Sequence, residues 1–204
     1  MKPIKTGLVE DDPQWLELMA STIHQAADLA IAWSTGDPKE ALYLAGAKTP
    51  DLIIIDVKFT GAQWDGLDLA RAITALRRVK IIMVSGTNSE NLICQAFLSG
   101  AVNFIPKENL DELPGAIRAA FTKNRSYEIL IGHYQRLYQE LRMQSLTPSE
   151  KQIYLLYRQG RSIAQIALAT QKSEGTVKNQ ISRARKKLKN QDAIDFKHLH
   201  WPYI

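Results

Sequence analysis

The chain has 204 residues, one cysteine, an apolar content of 45% and a formal net charge of +5. This length suits one large domain or two smaller ones, and a single cysteine excludes a disulfide framework and a cysteine metal site. No apolar run approaches the roughly 18 residues of a membrane span, and Met1 leads into a predicted strand rather than a signal peptide. We therefore expect a cytoplasmic protein without a membrane partner.

The charge is divided unevenly along the chain. Residues 1–122 hold 11 Lys/Arg and 15 Asp/Glu, a net charge of −4, whereas residues 123–204 hold 15 and 6, a net charge of +9. This asymmetry indicates two domains with different partners, and the basic one is suited to nucleic acid.

Strands and helices alternate through the acidic half. Apolar runs predict strands near 4–9, 30–34, 52–56, 80–85 and 102–106. Helical spacing predicts helices near 13–27, 38–47, 67–77, 89–99 and 110–123. Five alternations of this length predict an α/β fold, a doubly wound five-strand parallel sheet.

Four of these strands end on polar side chains that suit phosphoryl chemistry. The first runs into Glu10 and Asp11, the third ends at Asp56, the fourth at the hydroxyl of Ser85, and the fifth leads to the ammonium of Lys107. Because ligands bind outside the carboxyl ends of strands in such folds, we expect these groups to converge.

The predicted cluster has a defined chemistry. Three carboxylates repel one another unless a cation lies among them, and oxygen-only ligands favour Mg²⁺. Asp56 is then the nucleophile that forms an acyl phosphate, while Ser85 hydrogen-bonds the phosphoryl oxygens and Lys107 neutralises them. The alternative for any one of these residues is a helix cap or a turn, but the complementary set favours a phosphoryl site.

Residues 1–122 resemble the receiver domain of two-component response regulators. The matching positions are Glu10-Asp11, Asp56, Ser85, Phe104 and Pro106-Lys107. The resemblance implies a flavodoxin-like fold, phosphorylation of Asp56 by a sensor histidine kinase, and a switch pair of Ser85 and Phe104. The implied Mg²⁺ ligands are Glu10, Asp11, Asp56 and the backbone carbonyl of Lys58.

The segment that follows Asp56 departs from the receiver pattern. Receivers usually carry Met-Pro shortly after the phosphoacceptor, and this chain does not. Gly66 lies two residues further from Asp56 than the glycine of the family pattern. The loop is therefore longer, carries Trp64, and places the cation of Lys58 near the predicted phosphoryl site.

A helical stripe connects the two halves. Leu130, Tyr134, Leu137 and Leu141 recur at helical spacing, which predicts a helical linker over 123–145. Two interpretations remain open, namely a helix packed on one of its own domains and a self-association seam.

Residues 146–204 predict a small all-α helix-turn-helix domain. Thr147–Glu150 is a capping box for a first helix that closes at Gly160. Ser162 begins a second short helix, and Ser173 caps a third helix with a strongly cationic surface. A short helix, a tight turn and a cationic helix are typical of helix-turn-helix DNA-binding proteins.

The third helix of this domain carries the candidate DNA contacts. Cationic residues toward its carboxyl end can displace phosphate counterions without reading sequence, while Lys178 can donate to guanine and Asn179 can pair with adenine. The alternative is a solvated helix face. The predicted contacts are Thr176, Lys178, Asn179, Ser182, Arg183, Arg185, Lys186 and Lys187.

This half resembles the LuxR-type DNA-binding domain. The matching positions are Leu146–Glu150, Gly160, Ile166-Ala167, Ser173-Glu174 and Thr176–Lys178. Residues 182–188 are also similar to region 4 of sigma factors, a related helix-turn-helix. Together the two resemblances indicate a response regulator of the NarL/FixJ class. A further short helix is predicted over 192–199, and no family counterpart is found for the apolar tail.

The sequence therefore predicts a phosphorylation-controlled transcription factor and not a metabolic enzyme. Phosphorylation of Asp56 would favour a homodimer that presents two recognition helices to double-stranded DNA. Expected partners are a sensor histidine kinase, double-stranded DNA and RNA polymerase. Two alternatives are a receiver-gated module that mimics a sigma factor and binds a regulator of transcription, and a DNA-binding protein whose receiver serves only for dimerisation.

Overall fold

A five-stranded parallel sheet organises the first part of the chain. The computed structural model describes residues 2–61, 64–122 and 125–189. The strands are β1 Ile4–Val9, β2 Leu29–Thr35, β3 Leu52–Asp56, β4 Lys80–Ser85 and β5 Asn103–Pro106. They pair in the order β2-β1-β3-β4-β5, and every pairing is parallel. The predicted α/β sheet is confirmed.

Within the described residues, five α-helices accompany these strands. Their bounds are α1 Pro13–His24, α2 Pro38–Ala47, α3 Gly66–Leu76, α4 Glu90–Leu98 and α5 Leu113–Phe121. Asp12 and Asp37 are the N-caps of α1 and α2, and each is followed by a proline in the first turn. Proline is tolerated there because the first helical N–H groups have no partner within the helix.

Two predicted helix bounds were wrong. The helix expected over 13–27 ends at His24, because the chain turns there, with the Ala26 N–H donating to the Ile23 carbonyl. The helix expected over 110–123 begins at Leu113, and residues Lys107–Glu112 form 3₁₀ turns with a kink at Asn109 instead. Pro114 has no N–H to donate, so it occupies the first turn of α5 rather than its interior.

The side chains of β3 alternate between two apolar clusters. Ile53 and Ile55 belong to a cluster that includes residues of α2 and α3. Leu52 and Ile54 belong to another, which includes residues of α1 and α5. Because successive side chains of a strand point to opposite faces, helices cover both faces of the sheet. Apolar burial on both faces leaves the strand ends as the place for polar chemistry.

The chain divides into two compact units, Met1–Arg125 and Ser126–Ile204. The described helices that follow α5 are α6 Arg125–Met143, α7 Pro148–Arg158, α8 Ile163–Thr170 and α9 Glu174–Lys189. The predicted linker helix and the three helices of the basic half are therefore present. The helix predicted over 192–199 lies outside the described residues. Within the described chain, no helix combines the length and the apolarity that a membrane span requires.

The helices α7, α8 and α9 enclose a small apolar core. Ile153, Ile166, Val177 and Ile181 lie at its centre. The predicted capping box of α7 is present, and α8 opens with a second one. Gly160 closes α7 with a φ of +81°, a left-handed conformation that glycine adopts without steric cost. Local capping and a short turn thus define the helix-turn-helix.

One side of α6 is apolar and exposed. Leu130, Leu137 and Leu141 of the predicted stripe are 65%, 56% and 36% exposed, and Ile129 is 51% exposed. Tyr138, which is not part of that stripe, is buried. The three leucines are therefore available to a partner.

Candidate functional site

Three carboxylates meet at the carboxyl edge of the sheet. Glu10 and Asp11 follow β1 directly, Asp56 is the last residue of β3, and the two strands are neighbours. One carboxylate oxygen from each residue lies within 4.8 Å of the others. Glu10 and Asp56 are buried and Asp11 is half-buried. The structure thus brings together the predicted acidic cluster, whose all-oxygen donor set fits a divalent cation.

Lys107 bridges two of these carboxylates. Its Nζ lies 2.6 Å from Oε2 of Glu10 and 3.2 Å from Oδ1 of Asp56. The residue directly follows β5, and its side chain is only 11% exposed. The predicted convergence of the lysine with the acids is therefore observed, and one cation offsets part of the negative charge.

Burial raises the pKa of both buried carboxyls above their ordinary values. For Asp56, loss of hydration is the main cause, and the charge of Lys107 opposes it. For Glu10, loss of hydration is again the main cause, opposed by the hydrogen bond from Lys107 and reinforced by the charge of Asp56. The ionised cluster is therefore held in an unfavourable environment, and added positive charge would relieve it.

The predicted switch residues lie on the neighbouring strands. Ser85 is the buried last residue of β4 and directly follows Val84, which pairs with Asp56. The hydroxyl of Ser85 accepts a hydrogen bond from the Thr87 N–H at 3.2 Å. Phe104 of β5 is half-buried and packs against the apolar cluster that contains Ile53 and Ile55. The sequence predicted Ser85 and Phe104 but not the contact with Thr87.

The longer loop after β3 contacts the acidic cluster at two points. The Lys58 N–H donates to Oδ2 of Asp56 at 3.0 Å, and the Thr60 N–H donates to Oδ2 of Asp11 at 2.7 Å. Gly66 begins α3, and a Cβ at that position would overlap the carbonyl oxygen of Asp56. Gly66 therefore allows the start of α3 to approach the backbone of Asp56 closely.

The site has an aromatic neighbour that the sequence did not predict. The Nζ of Lys107 lies 4.9 Å from the centroid of the Trp15 ring. Trp15 stands in the first turn of α1, four residues after Asp11. Its closeness in sequence to the end of β1 could have indicated a place near the site. However, an isolated Trp in a helix is usually a core residue.

In the basic unit, α9 has one buried face and one exposed face. The buried side chains are Val177, Ile181, Ala184 and Leu188. Lys187 is half-buried, and the other predicted DNA contacts are exposed. These exposed residues are Thr176, Lys178, Asn179, Ser182, Arg183, Arg185 and Lys186.

Two of the predicted DNA contacts have side-chain partners on α7. The Nζ of Lys187 lies 2.7 Å from Oε2 of Glu150, and this hydrogen bond lowers the pKa of the Glu150 carboxyl. Arg185 donates to the hydroxyl of Tyr157 at 3.0 Å and lies over its ring. Lys187 and Arg185 thus connect α9 to α7. The more open part of the surface consists of Lys178, Asn179, Ser182, Arg183 and Lys186.

A polar network joins the amino end of α7 to α9. The hydroxyl of Ser149 donates to Oε1 of Gln180 at 3.0 Å and accepts from Nζ of Lys172 at 2.8 Å. The sequence offered no signal for this network, because its members are 31 and 23 residues apart.

Comparison with known families agrees with this description of the two units. Residues 7–118 match the response regulator receiver domain, and residues 140–188 match sigma-70, region 4. The receiver match covers more than half of the chain, so the protein belongs to the response regulator receiver family. It is a two-component regulator that combines a receiver with a helix-turn-helix DNA-binding region, as the sequence predicted.

Curated relatives share this organisation. The chain is 27% identical over 200 residues to the uncharacterized transcriptional regulatory protein YxjL of Bacillus subtilis, and the match covers 93% of this chain and 91% of that protein. It is also 27% identical to the response regulator protein VraR of Staphylococcus saprophyticus, over 93% of this chain and 92% of that protein. In fold, it is similar to the RcsB response regulator of Salmonella typhimurium, with a TM-score of 0.55, 20% identity and 93% coverage of both chains.

Proposed function

We propose that a sensor histidine kinase phosphorylates Asp56 and that this phosphorylation controls DNA binding by α9. The observation that carries the proposal is the meeting of buried Asp56 with Lys107 at 3.2 Å, beside the carboxylates of Glu10 and Asp11. A nucleophilic carboxylate, a fixed cation and an acid pair form a complete set for accepting a phosphoryl group.

The chemical step is a phosphoryl transfer to a carboxylate. An oxygen of Asp56 attacks phosphorus, the bond from phosphorus to the donor atom breaks, and the donor leaves with the bonding electron pair and takes a proton from solvent. Lys107 neutralises charge on the transferred oxygens, and the hydroxyl of Ser85 donates a hydrogen bond to one of them. To make this bond, the hydroxyl of Ser85 would leave the Thr87 N–H and turn toward the phosphoryl group. Phe104 would then follow it inward.

Four groups would hold Mg²⁺ at this site. They are the carboxylates of Glu10, Asp11 and Asp56 and the backbone carbonyl of Lys58. When bound, Mg²⁺ supplies positive charge that offsets the charge of the phosphoryl oxygens. The fit rests on the three convergent carboxylates and on the raised pKa values of Glu10 and Asp56, which mark a cluster short of positive charge.

In this proposal the protein is cytoplasmic, and its phosphorylated form binds DNA as a dimer. We assign residues 1–122 to the receiver, 123–145 to the linker and 146–204 to the DNA-binding domain with its tail. The exposed Leu130, Leu137 and Leu141 of α6 support self-association of the phosphorylated protein, which would place two copies of α9 on paired half-sites. The transcriptional regulatory protein and the DNA-interacting response regulator to which the chain is similar support double-stranded DNA as the target. The match to sigma-70, region 4 supports RNA polymerase as a further partner.

Phosphorylation with acetyl phosphate and Mg²⁺ tests the first half of the proposal. The wild-type chain should gain one base-labile phosphoryl group, and Asp56→Asn should gain none. Asp51→Asn, at the opposite end of β3, is the matched control and should label like the wild type. Equal labelling of Asp56→Asn and the wild type would exclude Asp56 as the acceptor.

A second candidate function follows from the match of residues 140–188 to sigma-70, region 4. In that case the basic unit binds a regulator of transcription instead of DNA. Titration with duplex DNA at several salt concentrations separates the two functions. Binding that weakens steeply as salt increases supports the DNA-binding function, whereas the absence of duplex binding in both phosphorylation states favours the sigma-like module.

A further inference from the structure

Trp15 lies beside the phosphoryl site without belonging to its acidic cluster. It stands in the first turn of α1, which Asp12 caps and Pro13 begins. Its ring is half-buried and packs against the apolar cluster that contains Leu52 and Ile54. The fixed start of α1 and this packing together hold the indole in place at the carboxyl edge of the sheet.

The contacts of Lys107 explain why the indole matters. A lysine ammonium is a compact charge on a flexible four-carbon stem, so its neighbours determine where it lies. Here these neighbours are Glu10 at 2.6 Å, Asp56 at 3.2 Å and the Trp15 ring centroid at 4.9 Å. The face of an indole ring attracts a cation because its π-system carries partial negative charge.

The three neighbours differ in what happens to them during the reaction. Glu10 and Asp56 belong to the acidic cluster, so a bound cation or a phosphoryl group competes with Lys107 for their oxygens. Trp15 takes no part in cation or phosphoryl binding, and its contact with the ammonium can persist throughout the reaction.

We propose that Trp15 is a positioning residue that holds the ammonium of Lys107 beside Asp56. The inference deepens the proposed function and rests on it for its kinetic consequence, because a correctly placed ammonium stabilises charge on the transferred phosphoryl group. The geometric part, an ammonium held over the indole, stands independently of phosphorylation.

The kinetic test compares substitutions of Trp15 in the full chain with acetyl phosphate and Mg²⁺. Trp15→Leu removes the ring and should slow phosphorylation by about 5-fold or more, whereas Trp15→Phe keeps an aromatic face and should recover most of the rate. Leu16→Ala removes apolar burial from the same cluster and controls for loss of packing. Equal slowing by Trp15→Leu, Trp15→Phe and Leu16→Ala would reduce Trp15 to a packing role and overturn the proposal.

A spectroscopic test does not depend on phosphorylation. The ε-methylene protons of Lys107 should be shifted upfield by the ring current of Trp15 in the NMR spectrum, and Lys107→Met identifies the signal by its disappearance. The shift should vanish in Trp15→Leu and persist in Trp15→Phe. An unshifted signal in the wild type would overturn the inference. If the shift is present but no phosphoryl group is gained, the proposed function fails and the contact with Trp15 stands.

Discussion

The ammonium of Lys187 donates to Oε2 of Glu150 at 2.7 Å across 37 residues. The same carboxylate oxygen accepts the Thr147 N–H at 2.9 Å and thereby completes the capping box of α7. The buried carboxylate of Glu150 therefore caps the start of α7 and also binds Lys187 of α9. A cationic residue that suits DNA by its sequence position thus has a structural partner.

Glu150→Gln should weaken the packing of α9 on α7. The amide can still accept the Thr147 N–H but loses the ion pair, and we expect a loss of about 1 kcal/mol. Because Lys187 lowers the pKa of Glu150 in the folded protein, this contribution is present at neutral pH and is lost as the pH falls through the folded-state pKa.

Hydrogen exchange of the α7 and α9 amides should be faster in Glu150→Gln at pH 7, with a smaller difference in acid. Glu140→Gln, on an exposed position of α6, is the control, and an undiminished difference in acid would contradict the ion-pair explanation.

Lys186 and Lys187 should behave differently in DNA binding although they are adjacent. Lys186 is exposed, and Lys186→Ala should weaken binding to all duplexes similarly and lower the salt slope by about 1. Lys187→Ala should leave the salt dependence of DNA affinity nearly unchanged and increase hydrogen exchange in α7 and α9, because Lys187 forms an ion pair with Glu150.

Titration of specific and scrambled duplexes at several salt concentrations measures the salt dependence of both variants. A loss of salt slope in Lys187→Ala equal to that in Lys186→Ala would show that the ion pair opens on DNA.

Asn179 should carry sequence preference instead of general affinity. It is exposed near the amino end of α9, where side chains of a recognition helix reach base edges. Asn179→Ala should reduce the preference for the specific duplex by about 1–3 kcal/mol while the salt slope stays nearly the same. Equal weakening on specific and scrambled duplexes would mean that another part of α9 enters the groove.

Asp56→Asn should stabilise the protein in the absence of divalent cations. Burial raises the pKa of Asp56, so the ionised carboxylate opposes folding at pH values above its folded-state pKa. Removing that charge should raise the free energy of unfolding at pH 7 by on the order of 1 kcal/mol. The gain should shrink as the pH falls toward 3.8, the ordinary value for aspartate.

Urea unfolding with and without Mg²⁺ measures this effect. Mg²⁺ should stabilise the wild type more than Asp56→Asn, because the wild type offers one more carboxylate. Glu17→Gln changes an exposed acid of α1 and is the control for net charge. A lower stability of Asp56→Asn without Mg²⁺ would show that Lys107 more than offsets the burial of Asp56.

Thr60→Pro should weaken Mg²⁺ binding. The Thr60 N–H donates to Asp11 at 2.7 Å, and proline removes this donor. Loss of a group that orients a metal ligand lowers affinity by about 10-fold or more. Thr60→Ala keeps the N–H and should bind Mg²⁺ like the wild type. Calorimetric titration of both variants checks the prediction, and equal affinities would show that the loop contact does not orient Asp11.

The sequence alone determined the class of fold and which residues form the acidic cluster with Lys107. Alternating apolar runs and helical spacing are local patterns, and the polar residues at the ends of parallel strands must meet at one edge of the sheet. Glu10, Asp11, Asp56 and Lys107 were therefore predictable as a group, as were the capping box of α7 and the short helices of the basic half.

Only the tertiary structure decided which side chains share partners. The contact of Trp15 with Lys107, the bond from Thr60 to Asp11 and the ion pair of Lys187 with Glu150 join residues that are far apart in the chain. Periodicity and capping specify the face or the end of an element on which a residue lies. They carry no information about the neighbouring element that packs there, because that depends on strand order and helix crossing. For this reason Lys186 and Lys187 are alike in sequence and different in the folded domain.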